Sequence, residues 1–192
     1  MIVSGHKVLV TGGSMGIGFA LAEALSQRQN RILIAARRSE HLAEAARRLP
    51  GVLTAQCDIA EQADLRRLVE TVMEKLGGLS LLVNNAGVHC NHDFAATPPE
   101  TILRHVDREI GTNLTGLVRL TALCVPLLLR EATSAVVNIS SLLAIAPKRA
   151  PPSTAPPRRR CAHSRRHFAI RSRIRGPRFA SSTSCRQWWT LR

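Results

Sequence analysis

The stretch Lys7-Val8-Leu9-Val10-Thr11-Gly12-Gly13-Ser14-Met15-Gly16-Ile17-Gly18 decides the fold class. Its first five residues form a short β-rich run that reads as a buried strand. Glycines follow at once. Ile17, Ala20, Leu21, Ala24 and Leu25 then take helical spacing, and Asn30 suits a left-handed helix end. Glycines between a strand and a helix allow a tight turn and close backbone approach to a pyrophosphate. The helix N-terminus supplies free N–H groups and the positive end of its dipole. Gly12, Ser14, Met15, Gly16, Ile17 and Gly18 are therefore candidate phosphate-loop residues. A plain tight turn is the alternative, and the strand-before, helix-after context argues against it.

The same alternation continues outward. Arg31 to Ala35 reads as a second strand, and Ser39 can cap a helix carrying Leu42, Ala46 and Leu49 that stops at Pro50-Gly51. Val52 to Cys57 is a third strand. Leu65, Leu68, Val69, Val72 and Leu76 make the clearest amphipathic helix, ended by Gly77-Gly78. Leu81 to Asn84 is a fourth strand. A loop with Pro98-Pro99 leads into helical sequence and a long helix around Asn113 to Arg130, in which Pro126 predicts a kink. Val136 to Ile139 is a fifth strand. Strands alternating with helices predict an α/β fold with a parallel sheet covered on both faces.

The chain changes character near Ala150. Residues 1–150 contain all 13 acidic residues and 16 Lys and Arg, whereas residues 151–192 contain no acid and 11 Arg. The excess positive charge thus sits in a tail that lacks amphipathic period and is expected to be disordered. A basic tail of this kind could bind phosphate non-specifically, but no specific nucleic-acid partner is expected. The five cysteines form no CxxC pair, which fits a reduced, cytoplasmic setting. Apolar runs are short of a membrane span, so no membrane partner is expected. His89, Cys90 and His92 crowd one loop, yet they lack a fourth ligand and a recognised spacing. No metal site is expected; a loop near a substrate mouth is the preferred reading.

Thr11-Gly12 with Gly16 and Gly18, Asn84-Asn85-Ala86-Gly87 after the fourth strand, and Asn138-Ile139-Ser140-Ser141 after the fifth each stand at the carboxyl end of a strand. In these motifs and their order, residues 5–150 resemble the short-chain dehydrogenase/reductase family. The resemblance implies a doubly wound, Rossmann-like nucleotide-binding domain over residues 1–150, here with about five strands. It implies that Gly12, Gly16 and Gly18 shape the pyrophosphate loop and that Asp58 contacts adenine. Asn85, Ala86 and Gly87 would support the sheet and cofactor. Asp58 can equally cap the helix that follows, and the two roles are compatible.

No acid ends the second strand to bond a ribose 2′-hydroxyl. Arg37 and Arg38 stand there instead, and a guanidinium can pair with a 2′-phosphate. NADP(H) is therefore favoured over NAD(H), the alternative being two solvated arginines at the unfavourable end of a helix dipole. The family's chemistry moves a hydride between nicotinamide and an alcohol/carbonyl substrate. By resemblance, Ser141 orients the substrate oxygen and Asn113 belongs to a proton relay; Ser140 is the less favoured serine. The family tyrosine should fall at Thr154 and its lysine at Arg158. A threonine hydroxyl is too weak an acid to replace a phenol, and Arg is not a compact ammonium. The chain has no tyrosine at all.

The genetic code suggests why. A shifted frame takes the last base of each codon with the first two of the next. It forces Val at the Trp188/Trp189 junction and Asp at Trp189/Thr190. It permits Val-Pro-Pro-Val-Val-Asp-Thr over Cys185 to Leu191, similar to a family loop. It also permits Tyr at Ser153/Thr154 and Lys at Pro157/Arg158, the family's four-residue spacing. Residues beyond about 150 therefore read as a frameshifted continuation of an intact enzyme. The expected activity is that of an NADP(H)-dependent oxidoreductase, inactive or nearly so as written. The alternative is a non-catalytic nucleotide-binding or interaction protein. A homo-oligomer is possible, with an incomplete helical dimer face and an uncovered edge on the fifth strand.

Overall fold

A computed structural model of the chain describes residues 3–91, 93–141 and 167–172, the last six and Ser141 as backbone. Five parallel strands are β1 (Lys7–Thr11), β2 (Arg31–Ala36), β3 (Leu53–Gln56), β4 (Leu81–Asn84) and β5 (Ala135–Ser141). The helices are α1 (Gly16–Ser26), α2 (Ser39–Arg48), α3 (Gln62–Leu76), α4 (Pro99–Ile110) and α5 (Leu117–Leu128). A π-helical segment, Gly111–Gly116, joins α4 to α5. The sheet order is β3-β2-β1-β4-β5-β6, where β6 (His167–Ser172) pairs antiparallel with β5. The chain builds β1, β2 and β3 in one direction and then returns to place β4 on the other side of β1. A crevice at the carboxyl ends of the strands follows from that reversal.

Alternation along the strands explains why both faces are covered. Val8, Val10, Ile32, Ile34, Leu81 and Val83 point to one face and pack with Phe19, Ala22 and Leu25 of α1 and Leu42 and Ala45 of α2. Leu9, Leu33 and Leu82 point to the other and pack with Leu65, Leu68 and Val72 of α3 and Leu120, Cys124 and Leu128 of α5. Side chains two apart share a face, so a strand covered on both sides must be apolar throughout.

Several local expectations are corrected. Gln29, not Asn30, takes the left-handed conformation after α1, with φ of 58°. Asn30 turns inward instead: its amide donates to Leu25 O at 2.7 Å and its Oδ1 accepts from His6 N at 2.8 Å. Ser39 is the first residue of α2, whose cap position is Arg38 with no side-chain cap. Asp58 does not cap α3, which begins after Glu61. It accepts from Ala60 N in a tight Asx-type turn. Pro126 lies inside α5, whereas the change of helical geometry is at Gly111–Gly116. There a Cβ on Gly116 would stand 2.2 Å from Ile59 O, so the helix approaches the β3 exit closer than any other residue allows. The edge of β5, expected to be uncovered, is paired by β6, because an edge strand recruits a partner through backbone groups whatever its composition.

The α4–α5 run, Pro99–Leu128, is long and apolar enough by composition to cross a membrane. The apolar runs expected to fall short of a membrane span thus lie in one continuous helical run of sufficient length. One face, Leu120, Cys124, Leu127 and Leu128, is buried in the core. Leu103, Val106, Ile110, Leu114 and Val118 form an exposed row.

Candidate active site

Thr11 ends β1 and ties the phosphate loop to the exit of β4. Its hydroxyl donates to Val83 O and accepts from Asn85 N and Ala86 N, both at 3.0 Å. Asn85 returns the contact, its amide donating to Thr11 O at 3.0 Å and Gly12 O at 3.1 Å. These bonds leave no room for a side chain at Gly12 or Gly18. A Cβ on Gly18 would meet Gly12 O at 2.3 Å and Asn85 Nδ2 at 2.4 Å. Gly12 and Gly16 have φ of 63° and 57°, which L side chains rarely adopt. α1 then begins with no side-chain cap and no acid in its first turn, leaving its N–H groups and dipole available to an anion.

A cleft of about 630 Å³ opens over this loop at the reversal between β1 and β4. Gly12, Ser14, Met15, Gly16, Ile17, Gly18, Arg37, Arg38, Asp58, Asn85, Ala86 and Gly87 all line it. His41, Val88 and Thr112 also line it and were not singled out from sequence. His41 is three residues beyond Arg38 on α2, a helical spacing that could have found it. Val88 and Thr112 flank motif residues and carry no chemical signal of their own.

At the β2 end of the cleft, Arg37 Nη1 lies 3.7 Å from Asp58 Oδ2. Arg38 reaches back toward the phosphate loop, with Nη2 3.9 Å from Met15 Sδ. Both arginines are exposed, so the Arg37–Asp58 pair contributes little to stability. Cys57 also faces this wall. Burial, reinforced by Asp64 and Asp58, pushes its thiol up to about 12, which removes it as a nucleophile.

At the β4 end, Asn84 Nδ2 donates to Asn138 Oδ1 at 2.8 Å and Thr121 Oγ1 at 3.0 Å, locking β4, β5 and α5 together. Ser141 lies at the carboxyl end of β5, three residues past Asn138. Asn113 projects from the π-helical segment onto Val88: its Oδ1 accepts from Val88 N and its Nδ2 donates to Val88 O, each at 2.8 Å. Asn113 is exposed and does not itself line the cleft, and its carboxamide holds the backbone of Val88, which does. Among the described residues, no group of three or more His, Cys, Asp and Glu is placed to hold a metal ion. His89 pairs with Glu109 instead, Nδ1 to Oε1 at 3.3 Å. Thr154, Arg158 and His92 lie outside the described residues.

A glycine loop in which Gly12 and Gly18 admit no Cβ, an uncapped helix N-terminus and two arginines following β2 fit a phosphorylated dinucleotide. The sequence model described as short chain dehydrogenase matches residues 6–151. Over 147 residues the chain is 37% identical to the uncharacterized oxidoreductase DltE of Bacillus subtilis, covering 77% of this chain and 58% of that protein. Over 139 residues it is 41% identical to granaticin polyketide synthase putative ketoacyl reductase 2 of Streptomyces violaceoruber, covering 70% and 54%. The fold matches L-sorbose reductase from Gluconobacter frateurii, solved with NADPH and L-sorbose. That match has a TM-score of 0.69 at 30% identity, over 77% of this chain and 57% of that one. The chain therefore spans little more than half the length of these relatives.

Proposed function

The chain belongs to the short-chain dehydrogenase family, and from that premise we propose that its cleft binds NADP(H) in preference to NAD(H) for hydride transfer with an alcohol/carbonyl substrate. The observation that carries the preference is the exit of β2, where Arg37 and Arg38 follow Ala36 with no acid between, the acid nearest to Arg37 being Asp58 after β3. The NADPH bound to L-sorbose reductase supports the same reading. When bound, the nicotinamide supplies or accepts the hydride. Gly12, Gly16 and Gly18 admit the pyrophosphate to backbone N–H groups, and Arg38 closes on the 2′-phosphate. Asn113 holds Val88 against the nicotinamide half. Ser141 orients the substrate oxygen.

Proton transfer is the step this chain does not equip. With no tyrosine in the sequence, no phenol is available as acid/base. We infer that turnover is very low and that residues beyond about 150 are a frameshifted continuation. Matching of the family ends at residue 151, where the composition breaks, which supports that origin. The exposed row Leu103, Val106, Ile110, Leu114 and Val118 supports a homo-oligomer joined along α4 and α5. Free Cys57, Cys90 and Cys124 support a cytoplasmic setting.

Titrating the full chain with NADPH and NADH by fluorescence tests the cofactor preference. NADPH should bind at least roughly tenfold tighter, with the advantage lost in Arg38→Ala. Equal affinities for the two cofactors would sink it.

A further inference from the structure

We propose that Glu109 is a positioning residue for the nicotinamide half of the cleft, acting through the segment Val88–Cys90. This rests on the cofactor reading of the cleft. The segment leaves β4 after the Asn84–Gly87 motif and belongs to no helix or strand. A backbone without ladder partners needs acceptors and donors from elsewhere. Two side chains of one helical run provide them. Asn113 takes both the N–H and the C=O of Val88. Glu109, four residues earlier, accepts from Cys90 N with Oε1 at 2.5 Å, and the same oxygen faces His89 Nδ1 at 3.3 Å.

Glu109 is half-buried, and its carboxylate accepts from Cys90 N and stands beside the His89 ring, two consecutive residues of the segment. A hydrogen bond to an ionised acceptor is shorter and stronger than a neutral one. Removing Glu109 would leave Asn113 holding Val88 alone, free to pivot about one residue. Val88 lines the cleft, so that pivot moves its wall. The effect is confined by sheet order. Arg37, Arg38 and Asp58 follow β2 and β3, on one side of β1, whereas Val88 follows β4, on the other. Glu109 therefore governs the half of the cofactor remote from the 2′-phosphate.

The test compares NADPH with adenosine 2′,5′-bisphosphate, which carries the adenosine 2′-phosphate half and no nicotinamide. Both are titrated into the full chain and into Glu109→Ala and Glu109→Gln, with thermal unfolding measured alongside. Glu109→Ala should weaken NADPH roughly tenfold and leave the bisphosphate within about twofold. Glu109→Gln keeps an acceptor for Cys90 N and should restore most of the NADPH affinity. An Ala variant that weakens both ligands equally, or neither, overturns the inference while leaving the cofactor reading intact. If the unmodified chain binds neither ligand, the cofactor reading falls and takes this inference with it. If Glu109→Ala does not fold, Glu109→Leu, which fills the same space without an acceptor for Cys90 N, is read by the same criterion: it must lose NADPH affinity by more than bisphosphate affinity, or the inference fails.

Discussion

Gly18 carries more constraint than any charged group in the cleft. Its missing Cβ is what lets Gly12 O and Asn85 Nδ2 close over the start of α1. Gly18→Ala should cost about 1–3 kcal/mol of stability, as overpacking does. It should also weaken NADPH beyond detection, because the phosphate loop must shift; denaturant unfolding and a binding titration measure the two effects separately. Cys57 and Cys124 make a second residue-scale case. Burial pushes both thiols up to about 12. A raised thiol pKa keeps the proton on in the folded state while the unfolded chain loses it near the ordinary value of 9.0. Stability from these groups is complete below about 9 and falls as pH rises toward 12. Alkylation followed by peptide mass spectrometry at pH 8.5 should label half-buried Cys90 and spare Cys57 and Cys124. Fast labelling of Cys57 would mean that the wall beneath the cleft opens.

The π-helical segment is the element that joins architecture to site. It allows one helical run to bury Leu120 and Cys124 against the sheet and still aim Asn113 at Val88. Its close approach to Ile59 O requires Gly116. Gly116→Ala should push the run outward and destabilise the fold by about 1–3 kcal/mol. The Asn113–Val88 bonds should loosen too, read as faster amide exchange at Val88. On the opposite face of the run, Leu114 and Val118 are more than half exposed, at 59% and 54%. Leu114→Asp with Val118→Asp should shift the chain to a monomer in sedimentation without lowering its melting temperature. Retained dimers would move the interface elsewhere, and loss of vesicle binding instead would identify a membrane surface.

At the scale of the whole molecule, a cleft that fits a phosphorylated dinucleotide is joined to a chain that has no phenolic acid/base. Restoring a single base upstream of codon 154 should yield Tyr and Lys four apart and a loop similar to Val-Pro-Pro-Val-Val-Asp-Thr. The restored enzyme should turn over NADPH with carbonyl substrates at least about a hundredfold faster than the chain as written, the usual contribution of general acid–base catalysis. Coding DNA without those codons in the shifted frame would remove the frameshift origin outright. Undiminished turnover by the chain as written would show that another group donates the proton.

Strand and helix order was legible in the residues because its signals are local. Val8, Leu9 and Val10 alternate between two buried faces, Leu65 to Leu76 repeat at helical spacing, and Gly12 to Gly18 interrupt the two patterns at one point. The cleft's candidate residues were legible for the same reason, since the motifs stand at strand ends and the sheet order gathers strand ends. Contacts between distant segments were not legible. Asn30 turning inward to His6, Gly116 meeting Ile59 O, and Glu109 with Asn113 holding Val88 to Cys90 depend on which segments meet. Unpaired backbone N–H and C=O groups in a loop take whatever partner the packed helices bring within reach. No residue pattern along the chain records that choice. The order of residues along the chain determined the fold class and the phosphate loop, and its composition the missing phenol; the tertiary structure alone decided which side chains meet the segment Val88–Cys90.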